Sequence, residues 1–143
     1  YLCKNGYIGE KTFITTIGGE PAVLKEFDKI MKDLIKYSKE KLIFLSSGIK
    51  FSDTIYKIPK RPDTVLIISL DCGSAECYRK IKRTDAFEQV IKNIKKYVSA
   101  NPSCEDSVQL KYILVKGLND NLEELKKFFD VVRETKVKKV LNC

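Results

Sequence analysis

The sequence predicts a single α/β domain in which parallel strands are joined by helical crossovers. Its 143 residues suit one domain, since typical domains hold roughly 100–150 residues. Five apolar segments alternate with segments of helical periodicity, an arrangement typical of parallel sheets. No linker, repeat or low-complexity tract interrupts this alternation, so we treat residues 1–143 as one domain.

The strand segments are rich in Ile, Val, Phe and Leu, and the segments between them place apolar residues at a period of 3.6. The third strand, which includes Val65, is apolar on both faces, as a covered parallel strand should be. Capping boxes are predicted at Asp85 with Glu88 and at Asn121 with Glu124. The predicted strands are residues 12–17, 42–45, 64–70, 108–115 and 137–141, and the helical faces are residues 23–35, 51–58, 87–98 and 122–132.

Composition excludes several classes of function. The chain has no His, which removes a Ser-His-Asp triad, a Cys-His dyad and any His-ligated zinc. No apolar run approaches the roughly 20 residues of a membrane span. Five cysteines without an export signal indicate free thiols in a reducing, cytoplasmic compartment. The spacing of Cys72 and Cys77 can ligate an iron–sulfur cluster, but such a cluster needs two more thiols.

The net charge of +8, from 27 Lys and Arg against 19 Asp and Glu, raises the question of nucleic-acid binding. The lysines are dispersed over the polar faces of the predicted helices, and no nucleic-acid-binding motif accompanies them. We therefore interpret the charge as solvated helix surface, and we do not expect nucleic acid as a partner.

Polar loops follow four of the predicted strands. In parallel α/β proteins such loops lie together at the carboxyl edge of the sheet and carry the functional groups. They are rich in Gly, Ser, Asp and Asn, which predicts one polar cofactor or substrate site, although turn chemistry alone explains part of this composition. The loops are residues 18–21, 46–48, 69–74 and 116–121.

The first of these loops reads Gly-Gly-Glu-Pro between a strand and a helix. The paired Gly18 and Gly19 let a ligand approach the backbone closely, and Pro21 pre-sets the first helical turn. Glu20 places a carboxylate where the ammonium of a ligand can bind. This polarity is wrong for a phosphate and favours an amino-acid-like ligand, and a simple tight turn is the alternative.

Four segments in order resemble the radical S-adenosylmethionine (SAM) superfamily. The first loop is similar to the family's GGEP motif, and Ser46-Ser47-Gly48 is similar to its T/S-N/S-G element. Residues 68–87 are similar to the fourth strand and its following loop, which often begin SLD. Residues 111–121 are similar to the fifth strand, which often ends in KGVND.

The resemblance implies a partial TIM-type (β/α) barrel whose first β/α unit is missing here. It implies that the GGEP loop receives the methionine ammonium of SAM. Ser69 and Asp71 would lie near the ribose or carboxylate, and Lys80 or Lys82 would pair with the carboxylate. The implied cofactor-binding residues are Gly18, Gly19, Glu20, Pro21, Ser46, Ser47, Ser69, Asp71, Lys80 and Lys82.

The chain departs from the family at its metal site. Family members hold a [4Fe–4S] cluster with a Cys-x3-Cys-x2-Cys motif, which is absent here. Because the chain begins at Tyr1 rather than Met, we expect a piece of a longer enzyme, and because the cluster motif is absent we expect this piece to be catalytically inactive. In that parent a missing upstream segment would hold the cluster and allow a 5′-deoxyadenosyl radical to form.

Exposed sheet edges also predict homo-oligomers.

A second interpretation stays open. The chain could be a non-catalytic α/β module that uses the same pocket for a cofactor-like ligand, or its basic surface for nucleic acid. The substrate and reaction type of a parent enzyme do not follow from this sequence.

Overall fold

Five parallel strands form one sheet, and their order in the sheet is their order in the chain. The computed structural model describes residues 1–2, 4–16, 20–57, 64–100 and 106–142. Each strand pairs in parallel with the next, so that Leu42 of the second lies beside Thr64 of the third. The strands are β1 (Ile14–Thr16), β2 (Leu42–Ser46), β3 (Thr64–Ser69), β4 (Val108–Tyr112) and β5 (Lys139–Asn142).

Helices connect the strands, and three of them begin at side-chain caps. In the helix after β2, the Ser52 hydroxyl accepts a hydrogen bond from the Ile55 amide at 3.2 Å. The Ser74 hydroxyl accepts a hydrogen bond from the Cys77 amide, and the Asn121 side chain accepts one from the Glu124 amide, as predicted for Asn121. No helix in the described ranges is long and apolar enough to cross a bilayer. The helices are α1 (Phe27–Tyr37), α2 (Asp53–Lys57), α3 (Ala75–Lys82), α4 (Phe87–Ser99) and α5 (Leu122–Thr135), and a 3₁₀ turn (Pro21–Val23) precedes α1.

The two faces of the sheet differ in what covers them. Strand order follows chain order and crossovers are right-handed, so the described helices lie on one side, where they bury one hydrophobic core. Alternate strand residues point into that core, among them Phe44, Ile68 and Leu110. The residues between them point the other way and form what we call the helix-free face. Its members include Thr15, Ile43, Leu45, Val65, Ile67, Ser69, Gln109, Lys111, Lys139 and Leu141.

The predicted α/β class and the parallel alternation are confirmed, but strand ends differ from the prediction. The fourth strand ends at Tyr112 rather than at residue 115 because two side chains capture the backbone that follows. The Asp71 carboxylate accepts a hydrogen bond from the Ile113 amide at 2.8 Å. The Asn119 side-chain oxygen accepts one from the Val115 amide at 2.6 Å. These bonds take the place of the sheet ladder.

Strand β1 begins at Ile14, two residues later than predicted, because Thr12 is engaged in a turn with Gly9. Strand β5 begins at Lys139, where its pairing with Gln109 starts, rather than at residue 137. The predicted continuation of β1 to residue 17 lies outside the described residues. In the described sheet β1 and β5 are the edge strands, and the predicted homo-oligomer through such edges stays a prediction.

The sequence-based prediction missed helix α3, whose residues were assigned to a loop. Four of its eight residues are charged and it fully buries only Cys77 and Tyr78, so its apolar face is too short for a clear 3.6 period. The predicted cap at Asp85 is wrong. Helix α4 starts after Ala86 without a side-chain cap, and Asp85 forms an ion pair with Arg79 instead.

Candidate cofactor site

The Glu20 side chain joins the loops that follow β1 and β2. Its carboxylate accepts a hydrogen bond from the Ser46 hydroxyl at 2.9 Å and from the Ser47 amide at 2.9 Å. It also accepts from the Ser47 hydroxyl and, at 3.3 Å, from the Ala22 amide. We call Glu20, Ser46 and Ser47 the Glu20 clasp. The structure therefore brings together the first two predicted loops.

Local sequence explains how the clasp forms. Strands β1 and β2 are neighbours, so the loops after them leave the sheet at the same edge. Pro21 occupies the first position of the 3₁₀ turn, directly after Glu20. Gly48 has a φ of +74°, and a Cβ there would lie 3.0 Å from the Ile68 side chain, so this turn requires glycine. Gly18 and Gly19 lie outside the described residues.

Among the described residues, the Glu20 carboxylate has no counter-ion. All its hydrogen-bond donors are neutral amides and hydroxyls. No Lys or Arg in the described part of the chain forms an ion pair with it. The neutral donors orient the carboxylate, and no ion pair within the described part of the chain neutralises its negative charge. Such a group can bind an ammonium through a charge-assisted hydrogen bond.

Asp71 is a second carboxylate at this edge, and other groups of the chain bind both of its oxygens. Its side chain is only 4% exposed and forms an ion pair with Lys82 of α3. Its other oxygen accepts the Ile113 amide, and its backbone has a φ of +58°, which is strained for a residue with a Cβ. Asp71 thus connects the loop after β3 to the end of β4.

The remaining predicted site residues are spread over different surroundings. Ser69 is half-buried on the helix-free face, and its hydroxyl makes no hydrogen bond within the described residues. Lys80 is exposed and pairs with Glu76 on the same helix. Lys80 and Lys82 thus each already hold one carboxylate of the chain, and a cofactor carboxylate would share or replace that partner. The predicted roles of Ser69, Lys80 and Lys82 in binding stay predictions.

Sequence reasoning missed Asn119, which is completely buried in the loop between β4 and α5. Its amide nitrogen donates to the Asp71 carbonyl at 2.6 Å and to the Ile113 carbonyl at 2.8 Å. Its oxygen accepts the Val115 amide, so all the polar atoms of the side chain are bonded. The Asn in the KGVND-like segment was the available signal, but its role depends on a contact 48 residues away.

Sequence reasoning also missed the part that the Glu124 carboxylate plays in building the site. It accepts hydrogen bonds from the Gly73 amide at 2.7 Å and from the Ser74 amide at 2.8 Å and hydroxyl at 2.9 Å. A Cβ at Gly73 would lie 2.1 Å from the backbone nitrogen of Phe128, so only glycine allows α5 to approach this loop. Glu124 was predicted as a capping-box partner of Asn121, and its carboxylate instead binds the start of α3.

The described cysteines do not fit an iron–sulfur cluster. Cys72 and Cys77 are buried, and burial is the largest cause that raises the pKa of each thiol above its usual value. A cluster needs ligands that are thiolates, and burial disfavours the charged thiolate form of these two side chains. No group of three or more His, Cys, Asp or Glu side chains in the described residues could hold a metal ion. Cys3, Cys104 and Cys143 lie outside those residues.

Comparison with known proteins identifies the family. The sequence profile of the Radical SAM superfamily matches residues 4–132, which is most of the chain. The chain therefore belongs to the radical SAM superfamily, whose cofactors are SAM and a [4Fe–4S] cluster.

Individual relatives agree with this assignment. The chain is similar to the GTP 3′,8-cyclase of Clostridium botulinum, with 26% identity over 82% of this chain and 35% of that protein. It is 29% identical to the GTP 3′,8-cyclase of Petrotoga mobilis over 80% of this chain and 34% of that protein. The crystal structure of Streptococcus suis SuiB bound to S-adenosylmethionine superposes with a TM-score of 0.70 at 15% identity, covering 91% of this chain and 29% of SuiB. The chain thus spans about a third of the length of the proteins it matches.

Proposed function

We propose that residues 1–143 form the SAM-binding part of a radical SAM enzyme and that the Glu20 clasp binds the methionine ammonium. The observation that carries this proposal is an oriented carboxylate with only neutral donors, at the carboxyl edge of a parallel sheet. An ammonium bound there would form a charge-assisted hydrogen bond with the carboxylate, and it would be the counter-ion that the described residues do not provide. Family membership favours an enzyme over the non-catalytic module.

Other residues would support the same ligand. Ser46 and Ser47 orient the Glu20 carboxylate, and Gly18 with Gly19 would allow the ligand close to the backbone. The Ser69 hydroxyl, without a partner in the described residues, would bind the ribose or the carboxylate. Asp71 would act by holding its loop in place, since both of its oxygens are already bonded within the chain.

The cluster of the parent enzyme would be held by cysteines outside residues 1–143. Two observations support this. Cys72 and Cys77 fit an iron–sulfur cluster poorly, and the chain covers only about a third of the length of its relatives. The radical chemistry characteristic of the family would then belong to the longer protein, and residues 1–143 alone would be inactive. The parent's substrate and reaction type are left open.

The proposal is tested by NMR titration of the ¹⁵N-labelled 143-residue chain with SAM. We expect weak binding, with a dissociation constant of about 1 mM, since no cluster is present to chelate the methionine group. The amides of Ala22 and Ser47 should shift. Glu20→Gln removes the negative charge and should weaken binding at least about tenfold.

Two controls separate charge at the clasp from general effects. Glu123→Gln removes an exposed carboxylate on α5 that pairs with Lys127, and it should leave binding of SAM unchanged. 5′-Methylthioadenosine lacks the ammonium, so its binding should be insensitive to Glu20→Gln. Shifts that map away from the clasp, or equal SAM binding by the wild type and a folded Glu20→Gln variant, would overturn the proposal.

A further inference from the structure

The helix-free face has an uneven chemistry. Its β2 and β3 part is apolar, with Ile43, Leu45, Val65 and Ile67. The part that runs from the end of β3 across β4 and β5 carries Ser69, Gln109, Lys111 and Lys139, with Leu141 as its apolar member. None of the strand residues that we assign to this face is Asp or Glu, while two are Lys. The described strands therefore present a positively charged half beside an apolar half.

Lys111 lies at the centre of the basic half. Its strand neighbours Leu110 and Tyr112 are buried in the core with the helices, so the Lys111 side chain points to the helix-free face. In the register of the sheet it is the partner of Ser69, which faces the same way. It is half-buried, and among the described residues it has no ion-pair partner.

A second lysine lies one diagonal step away. Gln109 pairs with Lys139 and Lys111 pairs with Leu141, so Lys139 and Lys111 are diagonal neighbours on the same face. Two like charges this close repel each other. A half-buried Lys111 that has a cationic neighbour and no carboxylate partner is an arrangement that a bound anion would stabilise.

We propose that Lys111, assisted by Lys139, binds the phosphate or carboxylate group of a small molecule held against the helix-free face. The inference deepens the proposed function and rests on it for the identity of the site, since Lys111 and the Glu20 clasp lie toward the same edge of the sheet. The clasp binds a cationic group of the ligand, and Lys111 binds an anionic one. The apolar half of the helix-free face packs against the uncharged part of the ligand. The anionic group belongs either to a separate substrate or to the methionine carboxylate of SAM.

The test uses the ¹⁵N-labelled chain, inorganic tripolyphosphate and two variants. Tripolyphosphate should shift the amides of Ser69, Lys111 and Lys139. Lys111→Met keeps an unbranched side chain one atom shorter and removes its charge, and it should weaken tripolyphosphate binding about tenfold. Lys126→Met removes the same charge from an exposed position on α5 and should change binding less than about twofold. Lys111→Arg should keep most of the affinity.

SAM and decarboxylated SAM distinguish the two sources of the anion. If Lys111→Met weakens tripolyphosphate and leaves SAM unchanged, the anion belongs to a separate substrate. If it weakens SAM but not decarboxylated SAM, the anion is the methionine carboxylate.

The inference is overturned if Lys111→Met and Lys126→Met behave alike toward both probes, or if tripolyphosphate shifts map only to the helices. Failure of SAM to respond to Glu20→Gln overturns the proposed function instead, and it leaves the tripolyphosphate result to decide the role of Lys111. Lys111→Arg keeps the test interpretable should Lys111→Met unfold the chain.

Discussion

Two carboxylates at the carboxyl edge of the sheet have opposite surroundings. Asp71 is buried, pairs with Lys82 and accepts a backbone amide, so its charge and its oxygens are used by the chain. Glu20 is held by neutral donors and has no cation among the described residues. An acidic residue in a conspicuous loop is therefore a ligand-binding candidate only when the protein does not supply its counter-ion.

The comparison extends to the loops that carry the two residues. The loop around Asp71 is fixed by Asn119, by Glu124 and by the approach of α5 to Gly73. In the described residues, the clasp connects Glu20 to the end of β2. Substitutions around Asp71 should therefore reduce the free energy of unfolding, whereas substitutions at the clasp should reduce ligand binding with little loss of stability.

The largest effect is expected for Gly73→Ala. The added Cβ would lie 2.1 Å from the Phe128 backbone nitrogen, and backbone cannot yield as a flexible side chain can. We expect the free energy of unfolding to fall by at least about 3 kcal/mol, measured by urea unfolding followed by circular dichroism. Gly9→Ala, where a Cβ would meet nothing within 4 Å, is the matched control and should change little. Similar stability of the two variants would contradict the close packing of α5 on this loop.

A smaller effect is expected for Asn119→Ala. The substitution leaves the Val115 amide and the Asp71 carbonyl without their partner in a buried site. The free energy of unfolding should fall by about 2 kcal/mol. Asn5→Ala removes an exposed side-chain hydrogen bond and should be nearly neutral in the same urea experiment. A loss for Asn119→Ala no larger than that of Asn5→Ala would remove the distinction between the two regions.

The smallest effect on stability is expected for Glu20→Gln. The amide oxygen can still accept from Ser46 or Ser47, whose hydroxyls can rotate to suit the amide nitrogen. The free energy of unfolding should therefore change by about 1 kcal/mol or less, although SAM binding should fall. Thermal unfolding of the variant in the presence and absence of SAM measures both quantities. A large loss of stability would mean that the clasp is structural, like the Asp71 network.

The sequence was sufficient for the fold class because periodicity and strand–helix alternation are local properties. It also placed Glu20 and Ser46 in loops at one edge of a parallel sheet, which the structure brings into contact. It could not place Asp71 in its ion pair, because that pairing depends on where α3 ends and on the left-handed backbone at residue 71. The short, highly charged helix α3 was itself missed for lack of a long apolar face.

The buried contacts around the site were out of reach for a related reason. Asn119 and Glu124 form hydrogen bonds with residues 48 and about 50 positions earlier in the chain. A local sequence pattern does not indicate which distant residues will meet. The same sequence features permitted a cap at Asp85, but the ion pair with Arg79 takes that carboxylate. Tertiary packing decides whether such a carboxylate caps a helix or pairs with a cation, and a single sequence does not show that packing.

The order of the strands has a consequence for how the chain reaches its native state. Every strand pairs with the strand that precedes it in the chain, so no strand has to wait for a distant segment before it can pair. Sheets of this kind close only loops of one β/α unit at each step, which keeps the entropy cost of each step small. The sheet can therefore grow one unit at a time, in the direction of synthesis, with each new helix covering the strand pair just formed.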